Sequence, residues 1–364
     1  MVSGPTVLIT CVGGVFALDT IQALRLDRDL NLRIVGVDGN PKMTECFYVD
    51  AYYSLPLAST QPEAFVQALL DVCRQEQVDL VIPGADEEVF AIADARERFE
   101  RAGVKIAVES RDKVELTRDK LRFLEHLKAA GIELPPFAEL SQVSDLPAVA
   151  ESLGYPGQPL ILKPRVGRGA RGLIVVDPSV NHMDHGAESR GYAIGDVEHV
   201  MGLLASMEHP LGLVAMEFLP GDIWDVDCVA KDGVPLCIVP RRRLWDTPFS
   251  RGVEGHRIER NVEIEALMYK IAGALSYNYV FDCDFGTSAD GKPGLLELNP
   301  RWSGSVAAAL AGGVNVPAVL VRSMMDLPIP AVEIKPGGIA RPKTRMVFEG
   351  NDNFTIDGMF EAGA

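Results

Sequence analysis

The stretch GLLELNPRWSGS, residues 294–305, places three polar side chains of different chemistry at alternate positions. Glu297, Asn299 and Arg301 follow one another at every second residue, and Leu296 and Leu298 lie between them. Because successive side chains of a β-strand point to opposite faces, a strand here would gather a carboxylate, an amide and a guanidinium on one surface. Such a surface offers oxygen ligands to a cation and a positive charge to an anion.

The residues just before this stretch predict its partner strand. The segment from Tyr279 reads as strand, turn at ADGKPG (289–294) and strand, and Asp282 and Asp284 share one face of the first strand. If the hairpin joins the polar faces, two or three carboxylates and an amide oxygen converge. Hard oxygen ligands of this kind suit Mg²⁺, which proteins hold with one or two carboxylates plus phosphate oxygens. A solvent-facing hairpin would explain the alternation but not the arginine beside the acids.

A glycine-rich segment upstream, KPRVGRGARG (163–172), fits a phosphate group. Its glycines let backbone N–H groups approach phosphate oxygens, and its cationic side chains add charge. The residues concerned are Gly167, Gly169, Gly172, Lys163, Arg168 and Arg171. Taken with the acidic hairpin, this segment predicts a site for a magnesium-bound phosphate compound.

The composition narrows the class of protein. At 364 residues the chain is expected to form two or three domains. A net charge of −16 argues against a nucleic-acid partner, since phosphate backbones select basic surfaces. No apolar run approaches the ~20 residues of a membrane span, so no membrane partner is expected. The start lacks the basic region of a secretory signal, and the six cysteines are scattered, which together predict reduced thiols and a cytoplasmic location.

The first third of the chain alternates strand and helix patterns. The predicted strands cover 6–12, 32–38, 78–84 and 104–108, with helices over 17–26, 62–77 and 86–103 between them. Buried strands alternating with helices predict a parallel α/β sheet, whose ligands approach the carboxyl ends of the strands. Those ends carry Gly13, Gly14, Asp38 and the segment GADEE, which contains Asp86 and Glu87.

The sequence disfavours two other binding functions, a dinucleotide site and a histidine metal site. The turn at Gly13 and Gly14, with Asp38 downstream, resembles a dinucleotide fingerprint but lacks its third glycine, so a tight strand-to-helix turn is favoured. His182 and His185 stand in an aperiodic polar segment, 177–196, where solvated histidines are more common than metal ligands.

From residue 119 the pattern changes to one helix, 119–130, which carries Lys120, and then to strands in antiparallel style. Two of these strands are joined at KDGV (231–234), which is typical of a hairpin turn. Lys120, ILKP before the glycine-rich segment, MEFLPG and DCDFG…LLELNPR occur in this order, which resembles the ATP-grasp enzymes. The resemblance covers roughly residues 5–330 and is greatest to the carbamoyl-phosphate-synthase-like branch, which includes the pyrrolysine-biosynthesis ligase. It implies an α/β domain (1–115), an ATP-grasp domain (116–330) with a lid lobe (about 120–215) and a magnesium lobe (about 216–330), and a C-terminal extension (331–364).

The resemblance also implies residue roles. Lys120, Lys163 and Gly169 would contact the ATP phosphates, and the hinge at Glu217, Phe218 and Leu219 would hold the adenine. Asp284, Glu297 and Asn299 match the ligands of Mg²⁺ (or Mn²⁺), and Arg301 matches the arginine near the transferred phosphoryl group. Ile223 and Trp224 stand where the family often has a ribose-binding glutamate, which leaves Asp222 or Asp225 for that contact.

The expected activity is that of an ATP-dependent carboxylate–amine ligase that forms an acylphosphate, with Arg301, Lys163 and Arg243 as catalytic residues. An ATP-grasp kinase, a carboxyphosphate-forming enzyme and a nucleotide-binding regulatory protein are the alternatives. Small carboxylates and amines are the expected partners, with a homodimer possible. Arg241, Arg243 and Arg301 are substrate candidates, because arginine forks pair with carboxylates. Glu87 of GADEE is a candidate because its carboxylate could hold an amino group instead. A solvated basic strand would equally explain residues 241–243, and alternation predicts that Arg242 points away from its neighbours. Arg251, His256 and Arg257 follow in a predicted loop.

Overall fold

The computed structural model describes residues 4–14, 17–41, 48–167, 172–182, 192–207, 212–244 and 255–342. Within these ranges the chain forms three β-sheets with helices packed against them. Two of the sheets have five strands and one has six. The α/β and α+β classes predicted from the sequence are confirmed by this arrangement.

The first sheet contains five parallel strands in the order β3-β2-β1-β4-β5. The strands are β1 Thr6–Thr10, β2 Arg33–Asp38, β3 Ala51–Ser54, β4 Leu80–Ile82 and β5 Lys105–Ile106. The interior strands are almost wholly buried, as expected for a parallel sheet covered on both faces. The sequence prediction misses the edge strand β3. Its sequence, AYYS, is short and has no continuous apolar run, as expected for a strand that is only partly buried.

Five α-helices accompany this sheet: α1 Ala17–Leu26, α2 Pro62–Glu76, α3 Asp86–Asp94, α4 Arg96–Arg101 and α5 Arg111–Arg118. The prediction of a single helix over 86–103 is wrong at Ala95, where φ −101° and ψ 10° interrupt the helix. The bounds of α1 agree with the sequence prediction.

The second sheet has the order β6-β10-β7-β8-β9 and is antiparallel except between β8 and β9. Its elements are β6 Phe137–Leu140, β7 Leu160–Pro164, β8 Leu173–Val176, β9 Tyr192–Gly195, β10 Leu213–Glu217, α6 Lys120–Ala129, α7 Leu146–Ser152 and α8 Val197–Ala205. The prediction of an aperiodic loop over 177–196 is wrong for its last residues. They form β9, which pairs with β8, and no local sequence pattern predicts this pairing.

The third sheet contains six antiparallel strands in the order β15-β14-β11-β12-β13-β16. Its elements are β11 Ile223–Lys231, β12 Val234–Leu244, β13 Gly255–Ile258, β14 Tyr279–Thr287, β15 Pro293–Asn299, β16 Ile339–Ala340, α9 Val262–Leu275 and α10 Val316–Met324. Asp232 and Gly233, both at positive φ, form the predicted hairpin turn between β11 and β12. The prediction of a loop at His256 and Arg257 is wrong, because β13 pairs there with β12.

Hydrophobic clusters join these units. One lies between the second and third sheets and includes Met216, Trp224 and Phe285. Another joins the first sheet and α1 to the third sheet and α10, and includes Ile21 and Val319. Three short 3₁₀ helices complete the described chain: Arg28–Leu30, Val143–Asp145 and Val306–Gly312.

No single helix in the described ranges has the length and apolar composition to cross a membrane. Two consecutive helices, Val306–Gly312 and Val316–Met324, meet the two criteria only when they are counted together, and the chain bends by 107° between them.

Candidate active site

The predicted acidic hairpin is formed by β14 and β15, and β11 extends it by a third strand. Asp284 is paired in register with Asp225 of β11 and with Glu297 of β15. Asp282 is likewise paired with Asp227 and Asn299. Two rows of acidic side chains therefore cross three neighbouring strands. Like charges directly opposite one another destabilise a sheet, so this arrangement requires cations close by.

Arg243 of β12 supplies one of these cations. Its Nε atom donates to Asp225 Oδ1 at 2.6 Å, and its Nη2 atom donates to Asp284 Oδ1 at 3.1 Å. Burial would lower the pKa of Arg243, but these two carboxylates raise it above the ordinary arginine value. Burial raises the pKa of Asp284 well above the usual range, and the neighbouring acids add to this effect. Arg243 lowers the same pKa but is outweighed. Arg243 thus lies against a predicted metal ligand.

Two lysines reach the same surface from the second sheet. Lys120 Nζ lies 3.5 Å from Glu297 Oε2, and Lys163 on β7 is 8% exposed. Burial alone would raise the pKa of Glu297, but Lys120, Lys163 and Arg301 outweigh it and hold that pKa below its ordinary value. Burial lowers the pKa of Lys163, and Lys120 adds to the effect. The structure therefore brings both predicted phosphate lysines to the predicted magnesium ligands.

Lys120 is fixed by the start of its helix. Asp119 caps α6 by accepting the backbone N–H groups of Leu121 and Arg122, and Arg165 holds this carboxylate at 2.7 Å. Lys120 Nζ also donates to the carbonyl oxygen of Gly167 at 2.8 Å. The first glycine of the glycine-rich segment is thereby tied to the lysine. The Gly169, Arg168 and Arg171 predictions lie outside the described residues.

The donor set suits Mg²⁺ completed by phosphate oxygens. Asp284 and Glu297 offer carboxylates, and Asn299 turns its Nδ2 toward Asp282 at 3.3 Å, which leaves its amide oxygen for a ligand. Within the described ranges no group of three or more His, Cys, Asp or Glu side chains forms a metal cage. Mg²⁺ is commonly held by only one or two carboxylates with substrate phosphates, so two carboxylates and an amide are sufficient.

Arg301 follows β15 and reaches across to the first domain. Its Nε atom lies 2.9 Å from Asp86 Oδ1 at the start of α3, and its Nη1 atom donates to the Trp302 carbonyl oxygen. Both charged side chains are mostly buried, with 17% and 12% exposure. Burial would lower the pKa of Arg301, but Asp86, Asp282, Asp284 and Glu297 together raise it. Arg301 thus connects the acidic hairpin to the carboxyl edge of the parallel sheet.

Arg241 lies in a deeper layer. It has no exposed surface and forms an ion pair with Asp227. Its guanidinium also donates to Ser303 Oγ at 2.7 Å and to the carbonyl oxygen of Ser305 at 2.7 Å. The alternative of a solvated basic strand is wrong at this position. Arg242 points to the other face, toward Glu259 and Asp222, as alternation predicts.

In the row formed by Asp227, Asp282 and Asn299, the negative charge of Asp282 is poorly offset by nearby cations. Burial, helped by Asp227 and Asp225, raises its pKa to about 8 against the effect of Arg241 and Arg301. Its Oδ1 atom is buried without a hydrogen-bond partner among the described residues. A buried carboxylate oxygen without a donor indicates a polar position that a ligand or water completes.

The hinge prediction concerns the end of β10. Glu217 and Leu219 line a cavity of about 690 Å³, whereas Phe218 packs against the cluster between the two sheets. Asp225, proposed for the ribose, has its two oxygens occupied by Arg243 and His256, so the geometry favours the exposed Asp222 for that contact. The buried indole N–H of Trp224 has no partner within the described ranges.

Three features bear on the other sequence predictions. Asp38 accepts the backbone N–H groups of Gly13 and Asn40 with its two carboxylate oxygens, so it is engaged in the turn rather than open to a ribose. Glu87 lies next to Asp86 at the start of α3 and is partly exposed. The sequence analysis did not predict Asp86 and His256 as site residues. The position of Asp86 among the acids of GADEE, at the end of a predicted strand, was the one feature that could have indicated it.

Comparisons with known proteins agree with this architecture. Residues 7–107 match the family model "PylC-like, N-terminal domain", and residues 210–342 match "ATP-grasp in the biosynthetic pathway with Ter operon". The carbamoyl phosphate synthase large chain of Pseudothermotoga lettingae is 24% identical over 322 residues, which cover 85% of this chain and 26% of that protein. The chain thus spans about a quarter of the length of this curated relative.

Solved structures show the same fold. The N5-carboxyaminoimidazole synthetase of Staphylococcus aureus complexed with ADP has a TM-score of 0.64 at 15% identity, covering 91% of this chain and 79% of that one. The L-amino acid ligase of Bacillus licheniformis has a TM-score of 0.63 at 16% identity, covering 89% and 75%. The chain therefore contains a PylC-like N-terminal domain and an ATP-grasp domain, and it is homologous to the carbamoyl phosphate synthase large chain.

Proposed function

We propose that this protein is an ATP-dependent ligase that joins a carboxylic acid to an amine through an acylphosphate. The observation that carries the proposal is the convergence of Lys120 and Lys163 with Glu297 and Asp284, since phosphoryl transfer depends mainly on positioning and on neutralising phosphate oxygens. The domain limits at 115 and 330 and the cytoplasmic location belong to the same proposal. The described part of the third sheet extends beyond residue 330 through β16.

The reaction begins with transfer of the γ-phosphoryl group of ATP to a carboxylate oxygen of the acid. A new P–O bond forms, the bond to the β-phosphate oxygen breaks and ADP leaves. Lys163 and Lys120 neutralise charge on the phosphate oxygens, and Arg301 does so at the transferred group. Asp284, Glu297 and Asn299 would hold Mg²⁺, which screens the phosphate charge when it is bound. Arg243 keeps the row of acids from repelling one another.

The amine then attacks the acyl carbon of the acylphosphate. The C–N bond forms, the C–O bond to phosphate breaks, and inorganic phosphate leaves with one oxygen of the original carboxylate. Water must be excluded in this step, because it would hydrolyse the intermediate. The names of two similar structures, an L-amino acid ligase and a carboxyaminoimidazole synthetase, support small carboxylates and amines as substrate classes.

The decisive experiment is a screen of amino acids and small carboxylates with MgATP and hydroxylamine. Hydroxylamine traps acylphosphates as hydroxamates, which mass spectrometry identifies. The acid found in this way is then labelled with ¹⁸O in its carboxylate. The proposal expects one label in the released phosphate for each amide formed. Product that forms without label in phosphate would refute the acylphosphate route, and phosphate that stays on the acid would indicate a kinase.

A further inference from the structure

A cavity of about 290 Å³ lies between α1 of the first domain and the third sheet. Asp19 and Gln22 of α1 form one wall, and the 3₁₀ helix 306–312 with neighbouring alanine and leucine side chains forms another. His256 and Ser305 line it from the side of the third sheet. The volume falls at the lower end of small-molecule pockets, which start at about 300 Å³. It suits a compound the size of an amino acid.

His256 is a buried titratable group that has no part in the mechanism above. It lies on β13, is 4% exposed, and places Nε2 at 2.7 Å from Asp225 Oδ2. Arg243 and His256 outweigh burial and hold the pKa of Asp225 well below its usual range, so this carboxylate only accepts hydrogen bonds. Nε2 must therefore be the nitrogen that carries hydrogen. In the neutral ring the lone pair is then on Nδ1, and the ring that carries it lines the cavity.

The same contacts connect the cavity to the phosphoryl-transfer surface. Asp225 bonds Arg243, and Arg243 bonds the predicted magnesium ligand Asp284. Ser305 Oγ lies 3.4 Å from His256 Nε2, and Ser305 follows Arg301 by four residues in the sequence. A compound in the cavity would thus be adjacent to the side of the site where the acyl group is activated.

We propose that this cavity binds the amine substrate and that His256 is the general base that accepts its proton. The inference rests on the ligase function proposed above. The amine enters as an ammonium, and Nδ1 accepts one of its protons, which frees the nitrogen lone pair. The nitrogen then attacks the acyl carbon, the C–O bond to phosphate breaks, and the departing phosphate takes the second N–H proton. No further reactant is needed. Asp225 stabilises the imidazolium that forms, and the proton leaves to solvent with the product.

The charges around the cavity agree with a cationic amine. Burial lowers the pKa of His256, with Arg241 and Arg243 adding to the effect and Asp225 opposing it, so the ring is neutral and able to accept a proton near pH 7. Asp19 lies at the exposed edge and has no hydrogen bond or ion pair with any described residue. It therefore offers a carboxylate to an incoming ammonium.

His256→Gln separates the two half-reactions. Glutamine can still donate to Asp225 from the position of Nε2, but it provides no base. Hydroxylamine is already unprotonated at neutral pH, so no proton has to be removed before it attacks, and the variant should form hydroxamate at the wild-type rate. Amide formation with the common L-amino acids as amines should fall about 10²-fold or more, the usual contribution of a general base. His126→Gln, an exposed histidine on α6, is the matched control.

Asp19→Asn should raise the KM for the amine and leave hydroxamate formation unchanged. The inference fails if His256→Gln lowers amide and hydroxamate formation together, which would indicate a structural role, or if it lowers neither. If the wild-type protein forms no hydroxamate with any acid, the ligase function fails and this inference with it. Loss of amide formation alone supports the general base.

Discussion

The ion pair between Asp86 and Arg301 gives the sharpest test of how the two domains cooperate. Asp86 comes from the start of α3 in the first domain, and Arg301 is the arginine expected at the transferred phosphoryl group. Replacing Asp86 by Asn keeps the shape of the side chain and removes its negative charge. Arg301 Nε then loses the carboxylate that fixes its side chain, so its remaining N–H groups lose their orientation.

The size of the effect follows from the geometry. At 2.9 Å and an effective dielectric constant of about 20, the direct attraction is about 6 kcal/mol, and the cost of removing both charges from water cancels much of it. The contact is an ion pair that leaves Asp86 Oδ1 without a well-aligned hydrogen bond, and residues in contact within one ion pair are coupled by about 0.5–3 kcal/mol. Since 1.36 kcal/mol corresponds to a tenfold change in rate, Asp86→Asn should lower kcat about 10- to 100-fold. The KM for ATP should change little, because the lysines are untouched.

The assay is ADP release in the presence of the acid and the amine, measured for both single variants and for Asp86→Asn combined with Arg301→Lys. Coupling between the two positions predicts that Asp86→Asn has little further effect in the Arg301→Lys background. Asp94→Asn is the control, because Asp94 lies in the same helix and pairs with Arg111 at the exposed surface. Additive effects of the two substitutions, or a wild-type kcat for Asp86→Asn, would refute the positioning role.

Three further predictions concern metal, nucleotide and pH. Glu297→Gln should abolish magnesium-dependent ATP turnover while far-UV circular dichroism stays unchanged, and wild-type activity at limiting magnesium would exclude the assigned ligand. MgATP at a hundredfold excess over its Kd should stabilise the protein by about 2.7 kcal/mol, seen as a higher Tm, whereas NADH should not, because Asp38 is occupied by the turn. Burial raises the pKa of Glu88 from 4.5 to about 7, so the folded state binds its proton more tightly than the unfolded state does. Stability from this group is present below pH 4.5 and falls as the pH rises to about 7, by about 3 kcal/mol, and urea unfolding of Glu88→Gln should lack this loss.

The sequence predicts features that depend on local pattern. The hairpin of β14 and β15, the turn at Asp232 and Gly233 and the parallel first sheet all follow from alternation, turn residues and buried runs within short segments. The acidic face at Asp284 and Glu297 follows for the same reason, because strand geometry alone fixes which side chains share a face.

What the sequence does not predict depends on pairing between distant segments. β13 is short and its residues include glycine, histidine and arginine, and it becomes a strand only because β12 offers an edge. The contact between Asp86 and Arg301 joins segments more than two hundred residues apart, and no local signal distinguishes Asp86 from Glu87 beside it. His256 could be recognised only after β13 placed it against Asp225.

The arginines of β12 show why residue type alone does not identify a substrate site. Arg241 and Arg243 share one face, yet Arg241 has no exposed surface and is surrounded by Asp227, Ser303 and Ser305. Removing one partner of such a buried pair commonly costs 3–5 kcal/mol in stability, so its first role is to compensate the deeper row of acids. Arg243 is 22% exposed and lies against Asp284, where a ligand can reach it. A direct substrate contact is therefore better assigned to Arg243 than to Arg241, although both carry the same charge on the same strand.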